Sequence, residues 1–235
     1  MRLRRSPLLL LALACGVAAV VLAAILAGFV WFSLPLLRPG ALGALLAWQW
    51  EPASGHFGIL AMLCGTLLVA LPAVAIAFPL GVGVVALAGG LAPRPWAPML
   101  LGLVRFMTSV PTVVWALISA FVVVPWIRNL SDSSGYCWLA VVLTLAILVL
   151  PTVVLVLAAP LRELPHDLRL AACALGLDRT QYLLYVAFPR LRASFVAALV
   201  LACGRAIGDT IVALTVSGNA PILPHAASDP LRTLT

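Results

Sequence analysis

The sequence predicts an all-α polytopic membrane protein with about five transmembrane helices, on three observations. Hydrophobic residues fill 64% of the 235 positions and charged ones only 9%. The mean hydropathy is +1.19, more apolar surface than a water-soluble chain of this size can bury. The apolar residues come in runs long enough to span a bilayer. The charges lie mostly outside those runs, above all in one polar island, residues 161–192, holding Arg162, Glu163, Asp167, Arg169, Asp178, Arg179, Arg190 and Arg192. So polar a stretch between two apolar spans must lie outside the hydrocarbon, as a loop.

The spans follow in order. Arg2, Arg4 and Arg5 precede an apolar run from Leu8 to about Leu37. That run is too long for the core of a cleaved signal peptide, so it is expected to stay as the first span, with its arginines inside. Ala12-Leu13-Ala14-Cys15 hints at a lipoprotein site, but the apolar stretch continues past Cys15 and excludes it. Residues 38–56 form a loop whose Trp48 and Trp50 suit the interfacial aromatic belt. The second span runs from Phe57 to about Gly90, and Pro72, Pro79, Gly81 and Gly83 predict a kinked or partly broken helix. A proline-rich turn, residues 92–98, leads to a third span from Met99 to Trp126, with Arg105 snorkelling from its inner end. The turn 128–135 leads to a fourth span, Tyr136 to about Ala159. After the island a fifth runs from Ala193 to Val216, with a polar tail beyond it. In domain terms, residues 1–57 are an N-terminal helix with its outer loop and residues 58–235 a helical core. Pro-Thr-Val-Val occurs at residues 111–114 and again at 151–154; four letters from an apolar alphabet repeat easily, and alone they carry little weight.

The basic residues test this topology. All are arginine. Arg2, Arg4, Arg5, Arg94, Arg162, Arg169, Arg179, Arg190 and Arg192 fall on one side, against Arg38, Arg128 and Arg232 on the other. The bias places the N-terminus and the 161–192 loop in the cytoplasm. A net charge of +7 is therefore first a topology signal, then a hint of anionic ligands or lipid, with nothing directed at nucleic acid. The five cysteines show no CxxC spacing and the three histidines are isolated, so no metal site or cofactor is expected in this chain. No nucleophile–base pair argues for an enzyme.

Two stretches carry chemistry. In Gly204-Arg205-Ala206-Ile207-Gly208-Asp209-Thr210, Arg205 lies about twelve residues into the fifth span, close to mid-membrane. An ionised side chain there is expensive and signals function. Asp209, four residues on, is expected on the same helical face, where it would hold Arg205 in the absence of a ligand. A guanidinium fork suits two oxygens of an oxyanion. The carboxylate would accept a hydrogen bond from a protonated phosphate, which sulfate cannot offer. An ion pair that only fixes packing, and a proton relay through Asp209, are the other uses of such a pair. In the island, Leu168, Ala171, Ala172, Leu175 and Gly176 are predicted on one helical face, followed by a second amphipathic piece from Tyr182 to Phe188. That is a docking shape, although an interfacial amphipathic helix gives a similar pattern.

Ala171-Ala172, Gly176 and Pro189 resemble the "EAA" coupling loop of ABC importer permeases, with Leu170 where that motif has Glu. Arg205-Ala206-Ile207-Gly208-Asp209-Thr210 followed by Ser217-Gly218-Asn219-Ala220-Pro221 resembles the fifth-span signature of phosphate ABC permeases of the PstC type, which usually have Glu at the position of Asp209. The resemblance extends over about residues 48–235. It implies a type I ABC-importer permease bundle, normally of six spans, so the chain reads as truncated before a last helix. It implies Arg205, Asp209 and Thr210 on the substrate pathway, and Asp167, Ala171, Ala172, Gly176 and Pro189 in the loop that meets the ATPase. The partners it implies are a PstA-like second permease, an ATPase dimer that uses the ATP, an extracytoplasmic phosphate-binding protein and phosphate itself. The expected location is the bacterial inner membrane. A sulfate, molybdate or tungstate permease, a proton-coupled carrier and an inactive membrane protein are the competing expectations.

Overall fold

The computed structural model describes residues 5–38, 40–93, 95–131, 133–224 and 226–234, with backbone alone for residues 5–9. Arg2, Arg4 and Arg94 of the charge count, and His225, lie outside the described residues. The fold is an all-α bundle in two compact units, Met1–Leu60 and Ala61–Thr235. Among the described residues, Leu10–Leu37, Leu60–Leu91, Thr112–Leu130 and Trp138–Arg162 are long and apolar enough to cross a membrane. A bent pair, Arg179–Arg190 with Arg192–Ile207 at 73°, brings the number to as many as five.

In the first unit, α1 (Arg5–Ser33) is about 43 Å long at the usual rise, enough for a hydrocarbon core of about 30 Å. Its large side chains from Leu10 onward are exposed, as suits a helix with lipid for solvent. A short α2 (Ala41–Leu45) precedes a small hairpin of β1 (Trp50–Glu51) and β2 (His56–Phe57), paired antiparallel with Trp50 opposite Phe57. Gly55, at φ 79°, makes the turn, and the Trp50 and Phe57 rings meet edge to face at 6.1 Å. Sequence alone shows this stretch only as a loop.

The second unit is built on α7 (Trp138–Arg162), which buries more than half of its residues on all sides. A helix apolar all round is one that others surround. Along it lies α11 (Arg192–Ile207), which buries Ala198, Ala202 and Ala206. Small residues at four-residue spacing let two backbones approach closely in a membrane. The helix α3 (Leu60–Ala86) runs unbroken through Pro72 and Pro79, so the expected break lies elsewhere: a π turn over Leu87–Leu91, where Gly90 takes φ 133°. Gly81 marks the close approach of α3 to α7, since a Cβ there would come within 2.7 Å of Val153 Cγ1.

Two predicted spans are each split. The third consists of α4 (Trp96–Ser109) and a separate crossing stretch made of α5 (Thr112–Ile118), a π turn Ser119–Val123 and α6 (Val124–Leu130). The break falls at Val110-Pro111, both in extended conformation. Proline drives its predecessor out of the helical region. Near the end of α4 the carbonyl of Arg105 also accepts from Thr108 Oγ1 at 2.7 Å and Ser109 Oγ at 3.3 Å. The π turn is fastened to α7 by buried Ser119 and Thr144, whose hydroxyls meet at 2.5 Å; Thr144 also bonds the Ala140 carbonyl at 2.7 Å. The fifth predicted span is α11 followed by α12 (Thr210–Val216), with the break at Gly208-Asp209.

Between α7 and α11 lie α8 (His166–Ala174), α9 (Arg179–Gln181), a π turn Tyr182–Ala187 and α10 (Phe188–Arg190). At the opposite end of the bundle the tail folds back. Leu231 is fully buried and its N–H donates to Ser217 O at 2.9 Å. Trp138 N–H donates to Asp229 O at 2.9 Å, and Leu234 N–H to Thr66 Oγ1 at 2.9 Å.

The packing of α3 on α7 is directly testable. Gly81→Leu should cost about 1–3 kcal/mol, the usual penalty for overpacking a tight core, and lower the thermal unfolding temperature in detergent. Gly83→Leu, where an added Cβ meets nothing within 4 Å, should leave it unchanged.

Candidate functional site

Arg205 stands in the last turn of α11, roughly 20 Å along that helix from Arg192. Its positive charge is compatible with the carbonyl-rich end of the helix. Ala206 beside it is buried against the bundle, while Gly204, Arg205 and Gly208 face outward and are exposed. Among the described residues, Arg205 makes no hydrogen bond and no ion pair.

The predicted partnership with Asp209 is therefore corrected. The helix ends at Ile207, and Gly208 N–H closes it on Gly204 O at 3.0 Å. Asp209 has left the helical region, with ψ 92°, and caps α12: its Oδ1 accepts from Val212 N–H at 3.0 Å. Four-residue spacing implies a shared face only while the helix is continuous. Here the carboxylate serves a new helix start, and the guanidinium has no counter-ion among the described residues.

The structure nevertheless brings the three sequence-predicted pathway residues to one place. An open cavity of about 460 Å³ is lined by Arg205, Gly208, Asp209, Thr210 and Ile211, together with Thr112. Arg205 also lines a smaller cavity of about 80 Å³ with Thr108, Trp115, Pro151 and Thr152, among others. Arg205 thus lines two spaces, with threonines in the lining of both. Thr112 and Thr152 are the threonines of the two Pro-Thr-Val-Val segments. Sequence reasoning passed over them, and the repeat was the signal that pointed to them. By contrast, Ser217-Gly218-Asn219 serves as the stop of α12. Asn219, at φ 53°, donates from Nδ2 to Leu214 O at 2.8 Å. Gly218, at φ 79°, is so closely packed that an added Cβ would lie 2.7 Å from Pro230 and 2.8 Å from the Tyr136 carbonyl.

The polar island forms the second site. Asp167 lies in the first turn of α8, the favourable place for a negative charge. The helix ends in a Schellman motif. Gly176 takes φ 75°, Gly176 N–H bonds Cys173 O and Leu177 N–H bonds Ala172 O, each at 3.0 Å. This is the conformation that favours glycine. Asp178 and Gln181 then form a capping box at 2.7 and 2.9 Å that starts the next helix. The predicted stripe is only partly as expected. Ala172 is buried, Leu168 half-buried, and Ala171, Leu175 and Gly176 are exposed, the last two lying beyond the end of α8 because the Schellman turn interrupts the helix. Leu175 and Tyr185 are 80% and 72% exposed, apolar side chains open to a partner. Pro189, also exposed, sits at the joint where the chain bends 73° into α11.

A helical membrane bundle with a free arginine beside a helix break, and a structured polar loop with an uncovered apolar surface, is the architecture of a transporter membrane component. The chain belongs to the family described as binding-protein-dependent transport system inner membrane component, which it matches over residues 81–229. Curated relatives agree. A probable ABC transporter permease protein YqgH of Bacillus subtilis (strain 168) is 30% identical over 194 residues, covering 81% of this chain and 63% of the relative. The phosphate transport system permease protein PstC of Mesorhizobium japonicum is 25% identical, covering 92% of this chain and 74% of its own. A probable PstC of Methanocaldococcus jannaschii is 27% identical, covering 85% and 70%. The chain thus spans about two thirds to three quarters of the length of these relatives.

The capping role of Asp209 separates two variants. Asp209→Ala should cost about 1 kcal/mol through loss of the N-cap, read as a lower unfolding temperature in detergent. Asp209→Asn, whose side-chain oxygen still accepts from Val212, should unfold within a degree or so of the parent.

Proposed function

We propose that this chain is the permease subunit of an ATP-driven importer and that it passes inorganic phosphate across the bacterial inner membrane, with its N-terminus in the cytoplasm. The observation that carries the reading is Arg205, a cation in a membrane helix with no partner among the described residues, lining a cavity with Asp209, Thr112 and Thr210. A guanidinium in a low-dielectric site gains most from an anion that takes two of its donors. Threonine hydroxyls both donate and accept, which suits phosphate oxygens in either protonation state. Asp209 has Oδ1 engaged by the helix start and keeps Oδ2 as an acceptor, so it favours an anion bearing a P–OH group. Sulfate and molybdate lack that proton at neutral pH and would set their oxygens against the carboxylate. Similarity to phosphate permeases points the same way.

The cavity at Arg205 is open on the chain's own surface, and a second permease subunit, PstA-like by resemblance, would complete the passage. A pair of ATPase subunits would take up Leu175, Tyr185 and their neighbours on the polar loop. ATP would be bound and hydrolysed there and not by this chain. A soluble binding protein would bring phosphate to the opposite face.

The test is uptake of labelled phosphate by vesicles containing this chain, a companion permease and the ATPase, with the binding protein outside. Arg205→Ala should reduce uptake at least a hundredfold, since lost hydrogen bonds to a charged group in such a site cost about 1.5–3 kcal/mol each, while the complex still assembles. Asp209→Asn should admit sulfate as a competitor. Parental uptake in Arg205→Ala would overturn the site, and sulfate transport by the parent would overturn the substrate.

Coupling is tested separately. Gly176→Val forces a β-branched residue into the left-handed region at an exposed position. It should abolish stimulation of the ATPase by loaded binding protein and leave phosphate binding to the binding protein untouched. Retained stimulation would remove the loop from the coupling role.

A further inference from the structure

We propose that a cavity at the cytoplasmic end of the second unit binds the headgroup of an anionic phospholipid, between the transmembrane post α7 and the docking helix α8. The cavity has a volume of about 350 Å³, within the usual range of small-molecule sites of about 300–1,000 Å³. Its lining joins the apolar Val85, Ala88, Leu101 and Ala158 to Arg162, His166, Arg169 and Tyr182, with Leu161 and Leu164 beside Arg162. Along α7, Ala158 lies one turn, about 6 Å, deeper in the membrane than Arg162. Val85, near the end of α3, likewise precedes Gly89 of the π turn at the same end of the bundle. The apolar wall therefore faces the hydrocarbon and the cationic wall the headgroup layer, the order of a phospholipid seen from its chains to its phosphate.

The basic side chains there are free to act. Arg128 spends its guanidinium on Ser134 O, at 3.0 and 2.9 Å, and Arg179 reaches Gly90 O at 3.4 Å. Arg162, Arg169 and His166 have no such partner among the described residues. The neighbouring carboxylates, Glu163 and Asp167, do not line the cavity. Two arginines from two different helices, with a tyrosine beside them, make a phosphodiester cradle, and basic pockets between helices at the cytoplasmic face are how membrane proteins take anionic lipid. A headgroup held between Arg162 of α7 and Arg169 of α8 would bridge the buried post and the docking helix. The site is separate from Arg205 and its assignment does not rest on the transported substrate.

The experiment is native mass spectrometry of the full chain, purified in detergent, stripped of lipid and titrated with phosphatidylglycerol, phosphatidylcholine or inorganic phosphate. The expected result is selective retention of phosphatidylglycerol, not displaced by excess inorganic phosphate. R162Q/R169Q should weaken it about 30-fold, the effect of two arginines near an anionic surface. Ala158→Met, which narrows the apolar wall and leaves both arginines in place, should weaken it too. R190Q/R192Q, the same charge change outside the cavity, should not. Equal retention of phosphatidylcholine, displacement by inorganic phosphate, unchanged retention in R162Q/R169Q, or an equal loss in R190Q/R192Q would each overturn the proposal.

Discussion

The bilayer does not solvate backbone amides, and this constraint decides where the helices of this chain can stop. Around α12, side chains take over bonds that the helix gives up. At the start of α12, Asp209 receives the Val212 amide. At its end, Asn219 covers the Leu214 carbonyl. Without these substitutes an interruption would cost several kcal/mol per orphaned group. With them the chain can hold irregular backbone beside a cavity, and that irregular backbone leaves Arg205 without its expected counter-ion.

The same logic explains the division of labour among the helices. The post α7 carries two prolines, Pro151 and Pro160, and remains whole, as α3 does through Pro72 and Pro79. The interruptions fall in α4 to α6 and between α11 and α12. A buried hydroxyl pair, Ser119 and Thr144, fastens the π turn to the post; such a bond in a membrane contributes only about 0.6 kcal/mol on average, so it sets register more than stability. Alanines at 198, 202 and 206 do the equivalent for α11. Rigid post and jointed periphery meet at Gly208-Asp209 and again at Leu191, the joints on either side of α11.

Much of this was legible in the sequence. Apolar runs gave the spans, because hydropathy over about twenty residues reports burial in lipid directly. In the polar loop Ala172 lies buried as the predicted stripe implied, whereas Ala171 is exposed and Gly176 stops the helix that was expected to run through it. The breaks were not legible. Pro72, Pro79, Pro151 and Pro160 sit inside intact helices while Pro111 falls at a break, so the presence of a proline does not by itself locate one. Likewise, Asp209 four residues after Arg205 reads as a helical pair until the intervening Gly208 is seen to end the helix. Thr112 and Thr152 were visible only as a short repeat, since a threonine in an apolar run has no periodic signature of its own.

The bond between Leu234 and Thr66 joins residues 168 positions apart. During synthesis at about 5–20 residues per second, one partner precedes the other by on the order of ten to thirty seconds. For that interval the beginning of α3 is in the membrane with its upper contacts missing, and Leu231, which ends fully buried, has not yet been made. Closing so long a loop is entropically cheap once the ends exist, so the delay is one of waiting and not of searching. Within the second unit the helices from α3 to α12 are thus made before the segment that fastens them, and any factor that guards nascent membrane helices has most to protect in the interval before residues 231–234 arrive.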